Sequence, residues 1–546
     1  MTSFSLFKPG SIEPKISSMR TPEEAEALVA AMFSFSARFR TNSGGSGQDQ
    51  SPAGSYFFDI AVSRLDRSLR DYGDTTPPFY LLQTLILTTF YELTRSVRSQ
   101  SWRSVGNCVR LAYDMNLHLI DADQKSHNGA ASNTPDVTQW SLLEERRRAW
   151  WAVWEMDVFA STIRRLPTGI DWSQNLTFLP VHDHYWFSDL YHGSCCLPRD
   201  PGLRWKALSE SGNNSPRAWF IVINSFMSNT QLVVYTPSSA PQSVDNDAES
   251  TARELSIMAN CLYCTVSSLP PELIYQSEPL DFRTRSFPRD ITPRQYHSDK
   301  YAIYLMTRLC RFMIHHQKIC AAAPWMASSN DSSIDQPGHT ATSDWANYMS
   351  AADEIAGIIR SSAVDHHRYV NPFLMNTVWF AAAAQCACRV IGPAAFDKRL
   401  AESNLDLLRL TLDRFISFWG SSDTLKAKLS KLETHLVHLV ERSKESSIVP
   451  GNNATAPLTS PANTTSLNHA IAGQPGAQYS NTEDNSSFIQ STVSGFPGPG
   501  TTSFNPDTWG FSQPFLPGNQ AWRGILNDPT DFFPFGLEEL LMYDNV

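Results

Sequence analysis

Residues 144–180, EERRRAWWAVWEMDVFASTIRRLPTGIDWSQNLTFLP, decide the fold of this chain of 546 residues. Trp150, Trp151 and Trp154 lie within little more than one helical turn of each other, so a helix that carries them buries a large apolar area around itself. The helix is expected to end before Pro167, because a proline cannot continue a helix. The stretch therefore predicts a long helix with an extensive buried surface.

Charged residues on the same stretch are spaced for pairing along the helix. Glu144 precedes Arg147 by three residues and Arg148 by four, and these are the separations at which opposite charges meet on one helix face. Asp157 lies one turn beyond Trp154, and we expect it to pair with an arginine of the segment that follows. Such pairs are typical of packing at the border of a core, so they indicate a scaffold rather than a reaction.

The rest of the sequence predicts an all-α fold: a large helical domain with long polar insertions, followed by a disordered C-terminal region. Apolar residues at helical spacing dominate residues 55–445. Two short runs, 220–223 and 232–235, fit a strand or a segment of helix equally well. Three long polar stretches are expected to be loops between helices: residues 121–138, 237–249 and 328–343.

Composition separates the chain into four parts. Residues 1–54 contain one predicted helix, at 21–40, and a Gly/Ser-rich loop at 41–54. The helical domain follows at residues 55–445. Residues 446–520 are rich in Ser, Thr, Asn, Gly and Pro, so they cannot bury enough apolar area to offset the entropy lost on ordering and are expected to be a disordered linker.

The fourth part, residues 521–546, interleaves acids with large apolar side chains. Eight acids and a single base, Arg523, lie after residue 446, so this end of the chain carries most of the net charge of −10. This composition is typical of an acidic activation segment, whose apolar side chains dock in a partner's groove as a short helix. The alternative is a final helix that folds back onto the core. The side chains expected to make the contact are Phe532, Phe533, Phe535, Leu537, Leu540 and Leu541.

The sequence argues against several other kinds of site. A pI of about 5.8 and the lack of a basic arm argue against unaided DNA binding, so no DNA-binding residue is predicted. Cys261 and Cys264 form a CxxC pair without the second pair that a zinc site needs. No motif of a hydrolase, metalloprotease or nucleotide-binding protein occurs, so no catalytic, metal or cofactor-binding residue is predicted. Neither a signal peptide nor a run of about 18 apolar residues that could span a membrane is found.

Residues 144–180 resemble the signature of the fungal-specific transcription factor domain, also called the middle homology region. The family's Gly-Arg-Pro element departs here to Arg164-Arg165-Leu166-Pro167, without glycine and with one residue added. Upstream, Gln83 and the segment from Trp102 to His118 resemble two further helices of the family. The signature positions in this chain are Glu145, Arg146, Arg147, Arg148, Trp150, Trp151, Asp157, Arg165, Pro167, Ile170, Leu179 and Pro180.

This resemblance implies a helical domain that receives a signal and regulates transcription in a fungal nucleus, for instance in secondary metabolism. It implies as partners the transcription machinery or a coactivator, and either a small-molecule effector or a partner protein as the signal, with no membrane. Family members usually carry an N-terminal binuclear zinc cluster of six cysteines that contacts DNA. The first cysteine here is Cys108. Contact with DNA is therefore expected through a DNA-binding partner protein or a module missing from this chain. A homodimer is the other association expected.

Two other classes of function remain open. An all-α enzyme of secondary metabolism, for instance with a terpene-cyclase-like fold, needs clustered metal-binding acids on facing helices, and no DDxxD-type run occurs. A scaffold protein without a role in transcription would share the helical core, but its C-terminal segment would not activate a reporter gene.

Overall fold

The computed structural model describes residues 4–39, 51–122, 136–235, 244–282, 293–321 and 338–446. Within these ranges the chain forms α-helices and short 3-10 turns, and its β-pairing consists of two isolated bridges. The predicted all-α fold class is therefore confirmed for the described residues. The C-terminal parts predicted at 446–520 and 521–546 lie outside the described residues, apart from Ser446 at the end of the last helix.

The described α-helices, in chain order, are α1 (Ile12–Ser17), α2 (Pro22–Ser36), α3 (Ser51–Asp71), α4 (Phe79–Arg95), α5 (Ser99–Asp114), α6 (Val137–Arg164), α7 (Asp183–Phe187), α8 (Pro201–Glu210), α9 (Pro216–Tyr235), α10 (Val244–Ser267), α11 (Pro293–Ala321), α12 (Gly338–Ser361), α13 (Met375–Ile391), α14 (Lys398–Trp419) and α15 (Thr424–Ser446).

Short polar side chains determine where several helices begin. Thr21 accepts a hydrogen bond from the Glu24 backbone at 3.4 Å, and the Glu24 carboxylate accepts one from the Thr21 backbone at 3.3 Å. This reciprocal capping box satisfies two free amides at the start of α2. Asp136 caps α6 and Asp397 caps α14 in the simpler way, through one carboxylate oxygen.

The middle of helix α6, residues 144–161, is buried on nearly all sides, as its tryptophans predict. Trp150, Trp151 and Trp154 are at most 2% exposed, and the valines and alanines between them are also buried. Helices α4, α5 and α9 pack against α6. Further along the chain, α9 packs on α11, α11 on α12, and α13 on α14. One hydrophobic core extends through these contacts from Phe4 to Leu436.

The N-terminal segment, residues 4–11, belongs to this core, which the sequence did not predict. Phe4 and Leu6 are buried. The Gln83 side-chain amide donates to the Leu6 carbonyl at 2.8 Å, and the Ser5 hydroxyl donates to the Asp183 carboxylate at 2.7 Å. The segment is therefore held from two sides, by α4 and by α7.

Several predicted boundaries are corrected by the structure. Helix α3 begins at Ser51, so the end of the predicted 41–54 loop is helical, where Pro52 fits a first helical turn. Helices α10 and α12 likewise begin inside the predicted loops 237–249 and 328–343. Both ambiguous runs, 220–223 and 232–235, lie in α9.

One stretch is apolar enough to be a candidate membrane span, although none was expected from the sequence. Pro372–Ile391 has a mean hydropathy of 1.2 over its most apolar window. By length and composition alone, this stretch could cross a membrane. In the structure 72% of that window is buried inside the protein, and α11, α12 and α14 pack against α13. Its high hydropathy is accounted for by this position in the core of the helical assembly.

Candidate functional site

Arg147 joins two carboxylates in a buried network near the start of α6. Its guanidinium donates to Asp121 twice, at 2.9 Å from Nε and 2.6 Å from Nη2, and to Glu144 at 3.4 Å. The Arg147 side chain is 3% exposed and the two carboxylates are fully buried. The predicted pair with Glu144 is confirmed. Asp121, which follows α5, makes the stronger contact and was not predicted.

Arg148 makes a second set of contacts on the neighbouring face. Its Nε donates to Glu144 at 2.9 Å and its Nη2 to the Val181 carbonyl at 2.6 Å, while Nη1 pairs with Asp183. The guanidinium also lies 4.3 Å from the centre of the Trp186 ring. Burial by itself would raise the pKa of Asp183, but the charge of Arg148 together with the hydrogen bonds from Ser5 and Arg148 lowers that pKa below its ordinary value.

The network is saturated with hydrogen bonds. The Val181 amide donates to Glu144 at 2.9 Å and the Phe178 amide donates to Asp121 at 2.8 Å. Because each carboxylate faces both an arginine and a backbone amide, the buried charges are compensated. The arrangement fixes the chain after Phe178 against α6.

The predicted tryptophan pair acts on the same downstream segment. The Trp150 indole N–H donates to the Asn175 side chain at 3.1 Å, and the Trp151 indole N–H donates to the Phe178 carbonyl at 2.7 Å. A buried indole needs such a partner. The two tryptophans therefore serve both as core side chains and as anchors for the segment that follows α6.

Asp157 does not pair with an arginine, so that prediction is wrong. Its carboxylate accepts hydrogen bonds from the Gly169 amide at 3.1 Å and the Ile170 amide at 2.9 Å, and from the Ser161 hydroxyl at 3.4 Å. Burial raises the pKa of Asp157, and these hydrogen bonds oppose the increase. The Asp157 carboxylate thus binds the backbone of the segment that follows α6. The spacing of charged residues in the sequence does not predict such a contact.

Arg165 and Pro167 form the turn that ends α6. Arg165 has a left-handed backbone with φ of 52°, at a position where helices often place a glycine. The turn therefore forms without the glycine of the family's Gly-Arg-Pro element, because Arg165 itself adopts the left-handed conformation. Pro167 is exposed, and its carbonyl accepts a hydrogen bond from Ser161 at 3.3 Å.

A polar cluster missed by the sequence analysis lies further along α6. The carboxylate of Glu155 is almost fully buried, pairs with Arg217 of α9, and accepts a hydrogen bond from the Asn371 amide at 2.9 Å. Burial raises the pKa of Glu155, and Arg217 opposes that effect. The only signal in the sequence was that Glu155 is an acid among apolar residues. This pattern does not indicate which residues pair with it.

An open cavity of 860 Å³ lies beside the N-terminal segment. We call it the aromatic cleft, because nine of its lining residues carry aromatic rings: Phe4, Phe7, Phe33, Phe35, Phe39, Phe90, Phe187, Tyr369 and Trp419. Arg294 and Arg368 line it as well, together with Asp183. A smaller pocket of 70 Å³, lined in part by Asp299, shares Phe4 and Ser5 with the cleft.

Among the described residues no group of three or more His, Cys, Asp or Glu side chains is placed to hold a metal ion. Cys261 is buried on α10 and Cys264 is partly buried. Burial raises the pKa of the Cys108 thiol to about 12, so this cysteine is protonated and unreactive at neutral pH.

Residues 3–258 match the family described as the fungal specific transcription factor domain. This part of the chain is a fungal specific transcription factor domain. The domain contains α1 to α9 and the first part of α10, and with them all the signature residues, so the predicted family resemblance is confirmed. The aromatic cleft combines side chains of this domain, such as Phe35, with Arg294, Arg368 and Trp419 from beyond it.

The chain is similar to several fungal transcription regulators. A transcription factor of Aspergillus terreus, tazR, is 31% identical over 106 residues, which are 19% of this chain and 16% of that protein. The azaphilone cluster-specific transcription factor azaR of Aspergillus niger is 30% identical over 146 residues, 27% of this chain and 29% of that protein. The citrinin biosynthesis transcriptional activator mrl3 of Monascus ruber is 30% identical over 115 residues, 20% of this chain and 21% of that protein.

Each of these matches thus spans less than a third of the relative's length. No solved structure matches the chain. The six predicted tail residues, from Phe532 to Leu541, lie outside the described residues.

Proposed function

We propose that this protein regulates transcription of a gene cluster for a fungal secondary metabolite. The observation that carries the proposal is the fungal specific transcription factor domain at residues 3–258. Relatives named for azaphilone and citrinin biosynthesis support the assignment to secondary metabolism. The saturated ion-pair network of α6 supports a scaffold that receives a signal, since it leaves no charged group free for a reaction.

The four parts of the chain have separate roles in this proposal. Residues 55–445, with the N-terminal helix of residues 1–54, form the regulatory body and receive a small-molecule effector. Residues 446–520 are the linker. Residues 521–546 bind a coactivator through Phe532, Phe533, Phe535, Leu537, Leu540 and Leu541. The protein acts in the nucleus and reaches DNA through a DNA-binding partner or through a module outside these 546 residues.

Deletion and overexpression of the gene in its host test the central claim. We expect the transcripts of one biosynthetic gene cluster to fall in the deletion strain and to rise on overexpression. A transcript profile that stays the same in both strains would contradict the proposal.

Fusion of residues 521–546 to a neutral DNA-binding domain tests the activation segment. We expect the fusion to activate a reporter gene. A variant with alanine at the six tail residues should be inactive, whereas a matched variant with alanine at Asn527, Pro529 and Thr530 should remain active. Equal activity of the two variants would count against the docking of these apolar side chains.

The route to DNA is tested with the purified full-length chain on promoter DNA of the affected cluster. The formal charge of −10 predicts weak binding by this chain alone. Tight, sequence-selective binding by the lone chain would contradict the need for a partner or a further module.

A further inference from the structure

We propose that the aromatic cleft binds a flat, largely apolar molecule with aromatic rings and one anionic group, and that Arg294 and Arg368 hold this anion. The proposal names the ligand class of the effector, and its regulatory meaning rests on the proposed function. Binding itself is a separate claim and can be measured without transcription.

The walls of the cleft are suited to flat rings. Phe90 contacts Phe4 edge to face at 4.9 Å and Phe35 in a stacked arrangement at 5.6 Å between ring centres. Phe39 lies 6.3 Å from Tyr369 in a stacked arrangement. Aromatic side chains held by their neighbours in this way form a preformed apolar site.

The charges of the cleft favour an anion. Arg294 donates from Nε to the Phe282 carbonyl at 3.1 Å, and its guanidinium lies 4.3 Å from the Tyr369 ring centre. The guanidinium of Arg368 lies 5.5 Å from the Phe418 ring centre. Among the described residues no carboxylate forms a salt bridge with either arginine, so their charges are not compensated by the described part of the protein.

The third charged residue of the lining does not cancel this positive charge. The Asp183 carboxylate is already engaged by Arg148 and by the Ser5 hydroxyl. The cleft therefore presents two arginines that form no salt bridge with a described carboxylate, beside an apolar wall. A guanidinium forms its strongest hydrogen bonds with an anionic oxygen, so a carboxylate, phenolate or sulfonate satisfies both features.

The size of the cleft fits a small molecule rather than a peptide helix. Its volume of 860 Å³ lies within the range of roughly 300–1,000 Å³ that is usual for ligand pockets. A molecule of two or three fused or linked rings can enter it with room for the anionic group at Arg294.

A pair of fluorescent probes tests the proposal on the purified full-length protein. The anionic probe is 8-anilinonaphthalene-1-sulfonate, and the matched neutral probe is N-phenyl-1-naphthylamine, which has the same rings without the sulfonate. We expect saturable binding of both at one site, with the anionic probe bound about tenfold more tightly. Equal affinity for the two probes, or binding that does not saturate, would overturn the proposal.

Variants assign the preference to the two arginines. The double variant Arg294→Gln/Arg368→Gln should bind the anionic probe about tenfold more weakly and the neutral probe as before. Arg103→Gln, at an exposed position on α5, is the matched control and should change neither affinity. A double variant that keeps the preference for the anion would refute the role of these arginines.

A steric variant locates the probes. Ser36 is exposed at the end of α2 and lines the cleft, so Ser36→Trp should weaken binding of both probes at least tenfold. Val29→Phe, on the same helix, provides a second obstruction if the tryptophan disturbs folding, which thermal melting of each variant reveals. Unchanged binding in both folded variants would place the probes elsewhere and overturn the proposal.

The deletion and overexpression experiment, compared with probe binding, separates this inference from the proposed function. If the protein binds the anionic probe as expected but does not affect any gene cluster, the ligand site stands and the regulatory role fails. If transcription depends on the protein but the probes do not bind in the cleft, the regulatory role stands and this inference fails.

Discussion

The side-chain amide of Asn371 donates a hydrogen bond of 2.9 Å to the Glu155 carboxylate, although 216 positions separate the two residues in the chain. Glu155 lies on α6, inside the fungal specific transcription factor domain, and Asn371 lies beyond that domain, just before α13. Both side chains are buried. This contact joins the domain to the helices that follow it through a polar bond within the apolar core.

Replacement of Asn371 should therefore weaken the whole helical assembly. In Asn371→Ala, Glu155 loses one of its two partners in a buried position, so we expect the free energy of unfolding to fall by about 2 kcal/mol. Asn376→Ala is the matched control, because Asn376 is only partly buried and donates to a backbone carbonyl at 3.3 Å. Chemical denaturation of the two variants gives the comparison. An equal decrease in the free energy of unfolding of both variants would mean that the contact with Glu155 adds no more stability than the ordinary hydrogen bond of Asn376.

Replacement of Arg147 should be more harmful still. Arg147→Met leaves the fully buried carboxylates of Asp121 and Glu144 without their shared cation, and breaking a buried pair in this way costs about 3–5 kcal/mol. Arg146→Met is the control, because the neighbouring Arg146 is only partly buried and donates to the Met115 carbonyl without a carboxylate partner. Urea denaturation should show a much smaller loss for the control. Similar losses would contradict the assignment of the network to Arg147.

A double-mutant cycle distinguishes the observed role of Asp157 from the predicted ion pair. Asp157→Ala removes the acceptor of two backbone amides, and we expect a loss of about 2–4 kcal/mol in the free energy of unfolding. Combined with Arg165→Ala, the two effects should add to within about 0.5 kcal/mol, because the residues do not form a pair. A coupling energy well above that value would restore the arginine partner expected from the sequence.

The adjacent histidines His366 and His367 should make stability depend on pH. Burial lowers the pKa of each from 6.5 to about 4, and the nearby Arg414 adds to the effect. The unfolded chain therefore takes up protons at a higher pH than the folded one. Stability is fully present above pH 6.5 and should fall as the pH decreases toward 4, by at most about 1.4 kcal/mol per pH unit for each histidine.

This pH dependence is measured by thermal or chemical unfolding between pH 7 and pH 4. The double variant His366→Gln/His367→Gln should flatten the slope in that window, whereas His438→Gln, at an exposed position of α15, should leave it unchanged. A slope that persists in the double variant would assign it to other groups.

Local spacing accounts for what could be predicted. The three tryptophans of α6 predicted its burial, and the separation of Glu144 from Arg147 and Arg148 predicted their pairs, since both follow from the pitch of one helix. Asp121 could not be predicted, because it reaches Arg147 only after the chain has folded back. Asp157 was assigned the wrong partner because a carboxylate can be satisfied by backbone amides, which have no signature in the sequence.

The aromatic cleft could not be predicted for the same physical reason. Its walls come from residues as far apart as Phe4, Phe35, Arg294 and Trp419, and each of these alone is typical of ordinary core or surface positions. Only the packing of α2, α4 and α14 around the N-terminal segment leaves a cavity there. The run 220–223, whose sequence fits a strand or a helix, is helical in the structure, where its helix α9 packs against α6 and α11.

The N-terminal segment is at once the first described part of the chain and one side of the aromatic cleft. Phe4 lies between the cleft and the guanidinium of Arg217, which is 4.9 Å from its ring centre and also pairs with Glu155. Any polypeptide joined in front of Met1 would consequently be attached only three residues away from a side chain that lines the cleft.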